Sequence, residues 1–542
     1  MSSDPSSFDS VPVLRDSTST ADGPDDLPRS APQEQPTLLQ SLLERIPHSD
    51  ARNTPSRLQW FHDSTSVSES LEHWLGCKVQ VVDNQLSIAG QMWDKDKLVR
   101  RLNRDVAIID DLVSQQLNVI LHHSQFQRLE ATWRGVEYLT KQVESAGDQL
   151  IKIRILNMTW SELERDFERA VEFDQSQLFQ KVYEQEFGMP GGEPFGTIIA
   201  DYTIQPQPTR EHPHDDITIL KELAKVGAAA FCPILTNANP AMFGVNAFDE
   251  LEHTVDHAKT FSQTVYTRWR SLRDMEEARF LGIVLPKILM RLPYEDDGSR
   301  IDRFQFQEDV HGPDHSKYLW GGAAFAMGEV LIRAFAQAGW LADIRGIQRD
   351  VEQGGIVVNL PTHSFATDKL GIANKFSTDV VVTDTLEKQL ADLGFMSLCH
   401  CKDTTFSAFY SNNSIQKPKV YDRDVATMNA RISSMLQYMY CVSRFAQYVK
   451  VLGREKTGSF SDPQEFEDYL QRWIVRYVTA DTEARPDVKA KFPLREASVK
   501  VHQIPGKPGV FNCVMHLAPH YELDELAASV RLVAELTPST NQ

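Results

Sequence analysis

The hydrophobic positions of this chain change rhythm near Leu150: before it they recur at helical spacing, and after it they fall into short runs and alternations. "PTLLQSLLERIP" places Leu38, Leu39, Leu42, Leu43 and Ile46 on one face of a miniature helix, with Thr37 and Gln40 as a capping box and Pro47 as the stop. So short a helix does not hold alone in water, and the segment is expected to dock on a partner surface. A short helix and a hairpin, "VQVVDNQLSI" turning at Asp83-Asn84, are predicted between Ser68 and Trp93. A long amphipathic helix is predicted from about Lys97 to His123, with Leu98, Leu102, Ile109, Leu112, Leu117 and Ile120 along its buried side. Ser124 and Gln127 form a second capping box, opening the helix of "HHSQFQRLEATWRGVEYL", His122 to Leu139. Its Phe126, Leu129, Trp133 and Val136 fall at 3-4-3 spacing, a coiled-coil-like seam that makes it the second arm of a helical hairpin.

Beyond Leu150, "LIKIRIL" alternates, and Thr159 with Glu162 opens another helix. "TIIADYTI", "GAAAFCPIL", "FLGIVL", "GGIVVNL" and "TDVVVTD" read as largely buried strands. Helices from Lys317 to Ala338 and from Asp384 to Leu393 stop at Gly339 and Gly394, so residues 378–401 form a strand–helix–strand unit. A long helix is predicted from about Asp424 to Gly453 and another over 463–478. The end of the chain is β again: "ASVKVHQI", a Pro-Gly-Lys-Pro-Gly turn, "VFNCVMHL", and a terminal strand in which Val530, Leu532, Ala534 and Leu536 face one way. No internal repeat is visible. The fold class is α+β, with a helical N-terminal region, a mixed α/β core and a C-terminal β-hairpin plus terminal strand.

Length and charge narrow the classes of function. A chain of 542 residues holds about three or four domains. Residues 1–36, with eight Ser, six Asp and six Pro, have little to bury and read as a disordered acidic extension. A net charge of −19 argues against nucleic-acid binding through phosphates. Six cysteines without a repeated spacing fit a reducing cytoplasm rather than a disulfide framework. No apolar run reaches the ~18 residues of a membrane span, since "FLGIVLPKILMRL" is interrupted by Pro286, Lys287 and Arg291. "MSSDPSSFDS" lacks the blocks of a signal peptide, so a cytoplasmic protein without membrane insertion is expected.

Candidate chemistry fails on spacing. His122 and His123 are helix neighbours pointing about 100° apart, so they cannot share one ion, and they suit a helix C-terminus. Arg134 can reach Glu130 or Glu137, and Gly135 is expected to admit another backbone closely. In "CHC", Cys399 and Cys401 would share a strand face that His400 leaves, with no second ligand pair elsewhere. "GREKTGS" has Ser where a phosphate loop needs Lys. "HPHDD", His212 to Asp216, lies in a Pro-rich loop and reads as a solvated turn. No nucleophile elbow occurs. No catalytic, cofactor or metal site is assigned, and an enzyme is not expected.

Taken in order, "HHSQFQRLEATWRGVEYL", "GGEPFGTIIADY", "EEARFLGIVLPKILMRLPY", "HSKYLWGGAAFAMGE", "LEKQLADLGFMSLCHCKDTTFSAFYSNNSIQKPKVY", "SRFAQYVKVLGREKTGSF", "RWIVRYVTADTEARPDVKAKFPLREASVKV", "PGKPGVF" and "SVRLVAEL" resemble the large sheath subunit of bacterial type VI secretion systems, the TssC/VipB family. The resemblance spans about Lys97 to Leu536, and Ser124 departs from the family's usual Pro. It implies a contractile tail-sheath-like core and a heterodimer with a small sheath subunit (TssB/VipA-like). It further implies self-association into a helical sheath around an Hcp-like inner tube, a baseplate, and disassembly by a ClpV-like AAA+ ATPase. The domains expected on this basis are the extension 1–36, the ATPase-recognition helix 37–47, a helical small-subunit-contact domain 57–149, the sheath core 150–495 and a β linker 496–542. Leu38, Leu39, Leu42, Leu43 and Ile46 become the ATPase-recognition residues. Phe126, Leu129, Trp133, Arg134, Gly135 and Val136 become the small-subunit or packing seam, and Val530, Leu532, Ala534 and Leu536 the inter-protomer strand. The alternatives are a sheath-like or adaptor subunit of another contractile injection machine, and a cytoplasmic zinc enzyme using Cys399 and Cys401.

Overall fold

The computed structural model describes residue 60 and residues 63–520, apart from short internal stretches of which 366–375, 504–510 and 457–462 are the longest. The predicted helix 37–46 and terminal strand 529–536 lie outside the described residues. The chain divides into two compact units, residues 1–105 and 106–542.

In the first unit, α1 (Val67–Leu75) starts where the Ser66 hydroxyl accepts from the Glu69 N–H and stops at Gly76, whose φ of 69° suits glycine. The predicted hairpin is present as β1 (Val79–Val82) and β2 (Gln85–Ile88), extended by an unforeseen third strand, β3 (Gln91–Trp93). Helix α2 (Lys95–Leu121) runs across the division between the units and has no buried residue. Its expected buried side is therefore wrong: Ile109, Leu112 and Ile120 are exposed, and Leu98, Leu102 and Leu117 are only half-buried.

The second unit is built on a six-stranded sheet. Its strands in chain order are β4 (Ile198–Ile204), β5 (Ile234–Ala238), β6 (Leu281–Leu285), β9 (Ile356–Val357), β10 (Phe395–His400) and β11 (Ser407–Phe409). They are arranged β4-β5-β6-β10-β11-β9, parallel from β4 through β10 and antiparallel thereafter. Strands β7 (Ile288–Leu289) and β8 (Trp320–Gly321) pair separately. The α-helices of nine or more residues among the described residues of this unit are α3 (Ser124–Ala146), α4 (Trp160–Arg169), α5 (Asp216–Ala230), α6 (Ala324–Ala338), α7 (Asp384–Asp392), α8 (Asp424–Ser433), α9 (Leu436–Glu455) and α10 (Pro463–Ile474). β5 and β6 are buried along their whole length, as the unbroken apolar runs require. The Thr159/Glu162 capping box forms as expected, and Gly339 and Gly394 close α6 and α7 in the left-handed region.

Several expected elements are different. "LIKIRIL" forms no strand and pairs with none among the described residues. "GAAA" ends α5 instead of starting a strand, because Ala and Gly continue a helix that Phe231 stops at a φ of 49°. "TDVVVTD" makes only one isolated bridge, Thr378 to Ile288, although Val380 and Val382 are buried in the core. The helix predicted from Lys317 begins only at Ala324, behind β8. The long helix from Asp424 is broken after Ser433, where the Leu436 N–H donates to the Asn412 carbonyl at 2.8 Å, an outside partner that competes with the helical one. "ASVKVHQI" and "VFNCVMHL" form the antiparallel pair β12 (Leu494–Gln503) and β13 (Phe511–Pro519). Their inner face packs with α9 and α10 around Phe445, Leu470, Ile474, Val499 and Val501.

Gly282 is the second residue of β6, where a Cβ would lie 2.6 Å from Leu436 Cδ1 and 2.8 Å from Leu235 and Met396. Gly282→Ala should overpack this site and destabilise the fold by about 1–3 kcal/mol, read as a lower urea midpoint with an unchanged slope.

Candidate functional site: a clamped helix with an open face

Helix α3 carries the sequence signature, and its first residue corrects the expected cap. His123, in extended conformation, is the N-cap and accepts from the Gln125 N–H through Nδ1 at 3.3 Å; Ser124 already belongs to the helix. The Gln127 side chain instead donates to the Ser316 carbonyl at 3.0 Å. His122 turns toward Glu308, with Nε2 3.5 Å from Oε1. The two histidines have separate structural tasks.

Of its two expected roles, partner contact or internal packing, the seam does not serve the second. The buried residues of α3 are Ala131, Gly135 and Leu139, whereas Phe126, Leu129 and Trp133 face outward, Leu129 57% and Trp133 60% exposed; Val136 is intermediate. The partner is α6 and not a helical-hairpin arm. A Cβ on Gly135 would collide with the Phe325 ring, and one on Gly328 of α6 would lie 2.5 Å from Ile199 and 2.8 Å from Leu139. Gly135 therefore admits an aromatic ring, not the backbone that was expected. The 3-4-3 row is the apolar stripe of a surface face, because periodicity states which residues share a side and not which side is inside.

Between these two sides runs a charged clamp. Arg134 Nε donates to Glu130 Oε1 at 2.9 Å, as expected, and stands 3.8 Å from Glu137. Glu130 Oε1 also accepts from Arg291 Nε at 2.8 Å. Arg291 then grips Glu308 with both terminal nitrogens, Nη1 to Oε2 at 2.5 Å and Nη2 to Oε1 at 3.1 Å. Glu308 accepts as well from the Tyr294 N–H at 3.0 Å, while Arg134 Nη2 donates to the Tyr294 hydroxyl at 3.0 Å. The Arg291 guanidinium lies 4.2 Å above the Tyr294 ring. Side-chain exposure is 7% for Arg291 and 1% for Glu308, so these charges meet in a low-dielectric site. Burial works to raise the Glu130 carboxyl, but the bonds from Arg291 and Arg134 outweigh it and hold the group below its ordinary range. Burial likewise opposes the charge on Arg291, and its two carboxylates raise it above its ordinary value. Glu308, 178 positions from Glu130 (308 − 130), carries no sequence signal linking it to α3.

The other candidate chemistry is structural. Cys399 is buried in the main core, and burial pushes its thiol far up; burial raises Cys401 as well, whose Sγ stands 4.0 Å from the Tyr410 hydroxyl. Such thiols are poor thiolate donors for zinc. Among the described residues no group of three or more His, Cys, Asp or Glu is placed to hold a metal. "HPHDD" is a latch instead of a solvated turn: His212 Nε2 meets Asp216 Oδ1 at 2.7 Å and His214 Nδ1 meets Glu164 Oε2 at 2.5 Å. Asp216 also accepts from Trp160 Nε1 at 2.6 Å, joining α5 to α4. No helix among the described residues is long and apolar enough to cross a membrane.

Comparison with known proteins places the chain in a family. Residues 103–416 match the tail sheath N-terminal domain of VipB (EvpB/VC_A0108), and residues 425–536 match the gpW/gp25-like tail sheath domain of the same family. The type VI secretion system sheath protein TssC1 of Pseudomonas aeruginosa is 39% identical over 447 residues, covering 82% of this chain and 87% of that protein. The sheath complex of an extracellular contractile injection system (PVC), in its contracted state, covers 71% of this chain and 88% of its own at 9% identity and a TM-score of 0.34, too distant to carry weight. These are contractile tail-sheath proteins. The chain belongs to the TssC/VipB family, the large sheath subunits of type VI secretion systems.

Replacing Arg291 with Met leaves Glu308 buried without its arginine and Glu130 with Arg134 alone, and should cost about 3–5 kcal/mol in urea unfolding. The Glu130 carboxyl is lower in the folded than in the unfolded chain, so its contribution is present at neutral pH and fades as pH falls through the folded value. Glu130→Gln should therefore be less stable than the parent at pH 7, and the two should converge in acid.

Proposed function

We propose that the chain pairs with a small sheath subunit and polymerises in the cytoplasm as a helical sheath around an Hcp-like inner tube. Seated on a baseplate, the sheath contracts to drive the tube outward, and an AAA+ ATPase of the ClpV type then takes it apart. The protein is non-enzymatic, and its free energy lies in lattice repacking. The observation that carries this reading is α3, locked inward by Gly135 and Arg291 and open outward along Phe126, Leu129 and Trp133. A contiguous apolar row on a rigid helix suits a permanent protein partner, for which the small subunit is the candidate.

A second feature supports self-association. The β12–β13 pair has no further strand among the described residues. The outer edge of β12 is already occupied: Gln471 Oε1 accepts from the Val499 N–H at 2.9 Å, its Nε2 donates to the Ala497 carbonyl at 3.2 Å, and Glu467 accepts from the Val501 N–H at 2.8 Å. Side chains of α10 thus imitate a neighbouring strand. The β13 edge is left for a strand from another copy, and residues 529–536, with Val530, Leu532, Ala534 and Leu536 on one face, have the alternation to fill it. The 496–542 region then couples protomers, 57–149 meets the small subunit and 150–495 is the sheath body.

Co-expression with the small subunit and negative-stain microscopy should show tubes, whereas Leu129→Glu with Trp133→Glu should lose co-purification at least about tenfold, one buried charge being ample, with thermal stability unchanged. Persistent pairing of that double variant would count against α3 as the interface. Deleting 529–542 should leave the pair but abolish tubes. Deleting 37–46, which removes Leu38, Leu39, Leu42, Leu43 and Ile46, should leave tubes and slow their disassembly by the ATPase; failure to assemble would refute the recognition role.

A further inference from the structure

The described chain ends at His520, on the wall of a cleft of about 720 Å³. That volume falls within the roughly 300–1,000 Å³ of sites that enclose a ligand. The floor of the cleft is α9, through the buried Gln437, Tyr438 and Cys441, and one side is α7, through Asp384, Glu387, Lys388 and Asp392. The side from which the chain leaves is made by Pro486, Lys489 and Ala490 of the short helix Pro486–Lys491, with Pro493, Pro519 and His520. The His520 N–H donates to the Pro493 carbonyl at 3.2 Å, which fixes the end of the described chain to this side.

The two sides differ in charge. The α7 side has three carboxylates around one ammonium, whereas the exit side has Lys489 and no carboxylate. Elsewhere in the lining Arg345 and Arg431 outnumber Asp343. Among the described residues Lys489 has no carboxylate partner. Burial, and then the charges of Lys489 and Arg495, push the neighbouring His520 imidazole below its ordinary value. Its Nε2 is buried without a hydrogen-bond partner among the described residues, the mark of an incomplete surface.

The residues that follow, Tyr-Glu-Leu-Asp-Glu-Leu at 521–526, place acids at Glu522, Asp524 and Glu525. In an extended chain Tyr521 and Leu523 leave one face and Glu522 and Asp524 the other. The first face suits the apolar depth over Tyr438 and Cys441, and the second suits Lys489. A segment tethered at the wall is present there at an effective concentration on the order of millimolar, so weak contacts suffice to hold it.

We infer that the cleft is the seat of the chain's own residues 521–526, held by Glu522 and Asp524 at Lys489 and by Tyr521 and Leu523 over α9. The consequence for assembly rests on the strand exchange proposed above. With the segment seated, the length of chain to be ordered ahead of the strand 529–536 falls from eight residues (528 − 520) to two (528 − 526). A strand that departs from a fixed point loses less entropy on meeting a neighbour's β13 edge.

Amide hydrogen exchange on the full chain alone tests the seat. The 521–526 amides should exchange at least about tenfold more slowly than in a free peptide of that sequence, equally at low and high protein concentration. Lys489→Glu should abolish the slowing, and adding Glu522→Lys to it should restore it. Exchange at the free-peptide rate in the parent, slowing that Lys489→Glu leaves intact, or no recovery in the double variant would overturn the inference. Slowing that grows with protein concentration would give the cleft to a second copy, and slowing of α7 that needs the small subunit would give it to that partner; either result also overturns it. Tube formation is read separately: tubes with 521–526 unprotected leave the proposed function standing, and protection without tubes leaves the seat standing.

Discussion

The clamped helix takes its place from the contact of α3 with α6. Gly135 and Gly328 bring two helices together where no Cβ fits, and Phe325 fills the gap from one side while Leu139 and Ile199 fill it from the other. Since α6 is itself buried against the sheet, α3 takes its position from the core rather than from its neighbour in sequence. A helix placed that firmly can present an apolar row to a partner without shifting when the partner leaves. Interiors packed at crystal density transmit displacement instead of absorbing it.

The clamp makes the same point in charge. Two arginines and two glutamates, largely withdrawn from water, are a weak source of net stability, because desolvation consumes most of their attraction. What they contribute is register. Arg291 can satisfy Glu130 and Glu308 together only when α3 and the 291–308 segment are aligned, and Tyr294 closes the arrangement by stacking on one arginine and accepting from the other. Misalignment by one helical turn would strand a buried carboxylate. A sheath protomer that must be pulled by its neighbours and still keep its shape has use for such an all-or-none joint.

How much of this was legible in the sequence depended on whether the signal was local. The Thr159/Glu162 capping box, the terminating glycines 339 and 394, and the β12–β13 hairpin were readable because each is written within a few residues. Arg134 to Glu130 was readable for the same reason, being one helical turn apart. Glu308 was not, since its pairing with Arg291 and its approach to α3 exist only in three dimensions. The seam of Phe126, Leu129 and Trp133 was found as a row, expected as partner contact or internal core, and the row alone did not choose between them, because small residues such as Ala131 and Gly135 carry little hydrophobic signal yet pack the tighter interface. The 424–453 helix was read as continuous because Asn412 and Asn413, which interrupt it at Met435 and Leu436, lie outside any local window.

A contracting lattice makes two demands that pull against each other: protomers must stay joined, and their bodies must move. Side-chain interfaces answer the first poorly, since a jigsaw fit is lost within an ångström or two of sliding. Backbone ladders answer it well, because the hydrogen bonds recur along the strand whatever the side chains do, and a strand at the end of a chain carries its own tether. In the proposed sheath the two kinds of joint are separated along the molecule. The rigid, apolar and clamped surface of α3 lies within the family's tail-sheath N-terminal match, where the small subunit is to be held without change. The hairpin, whose β12 edge α10 has sealed and whose β13 edge has no strand beyond it among the described residues, lies within the gpW/gp25-like match, where the proposal has neighbouring copies shift while linked. Sealing one edge leaves a single place for the incoming strand, so a flexible connection keeps a unique partner geometry through the movement.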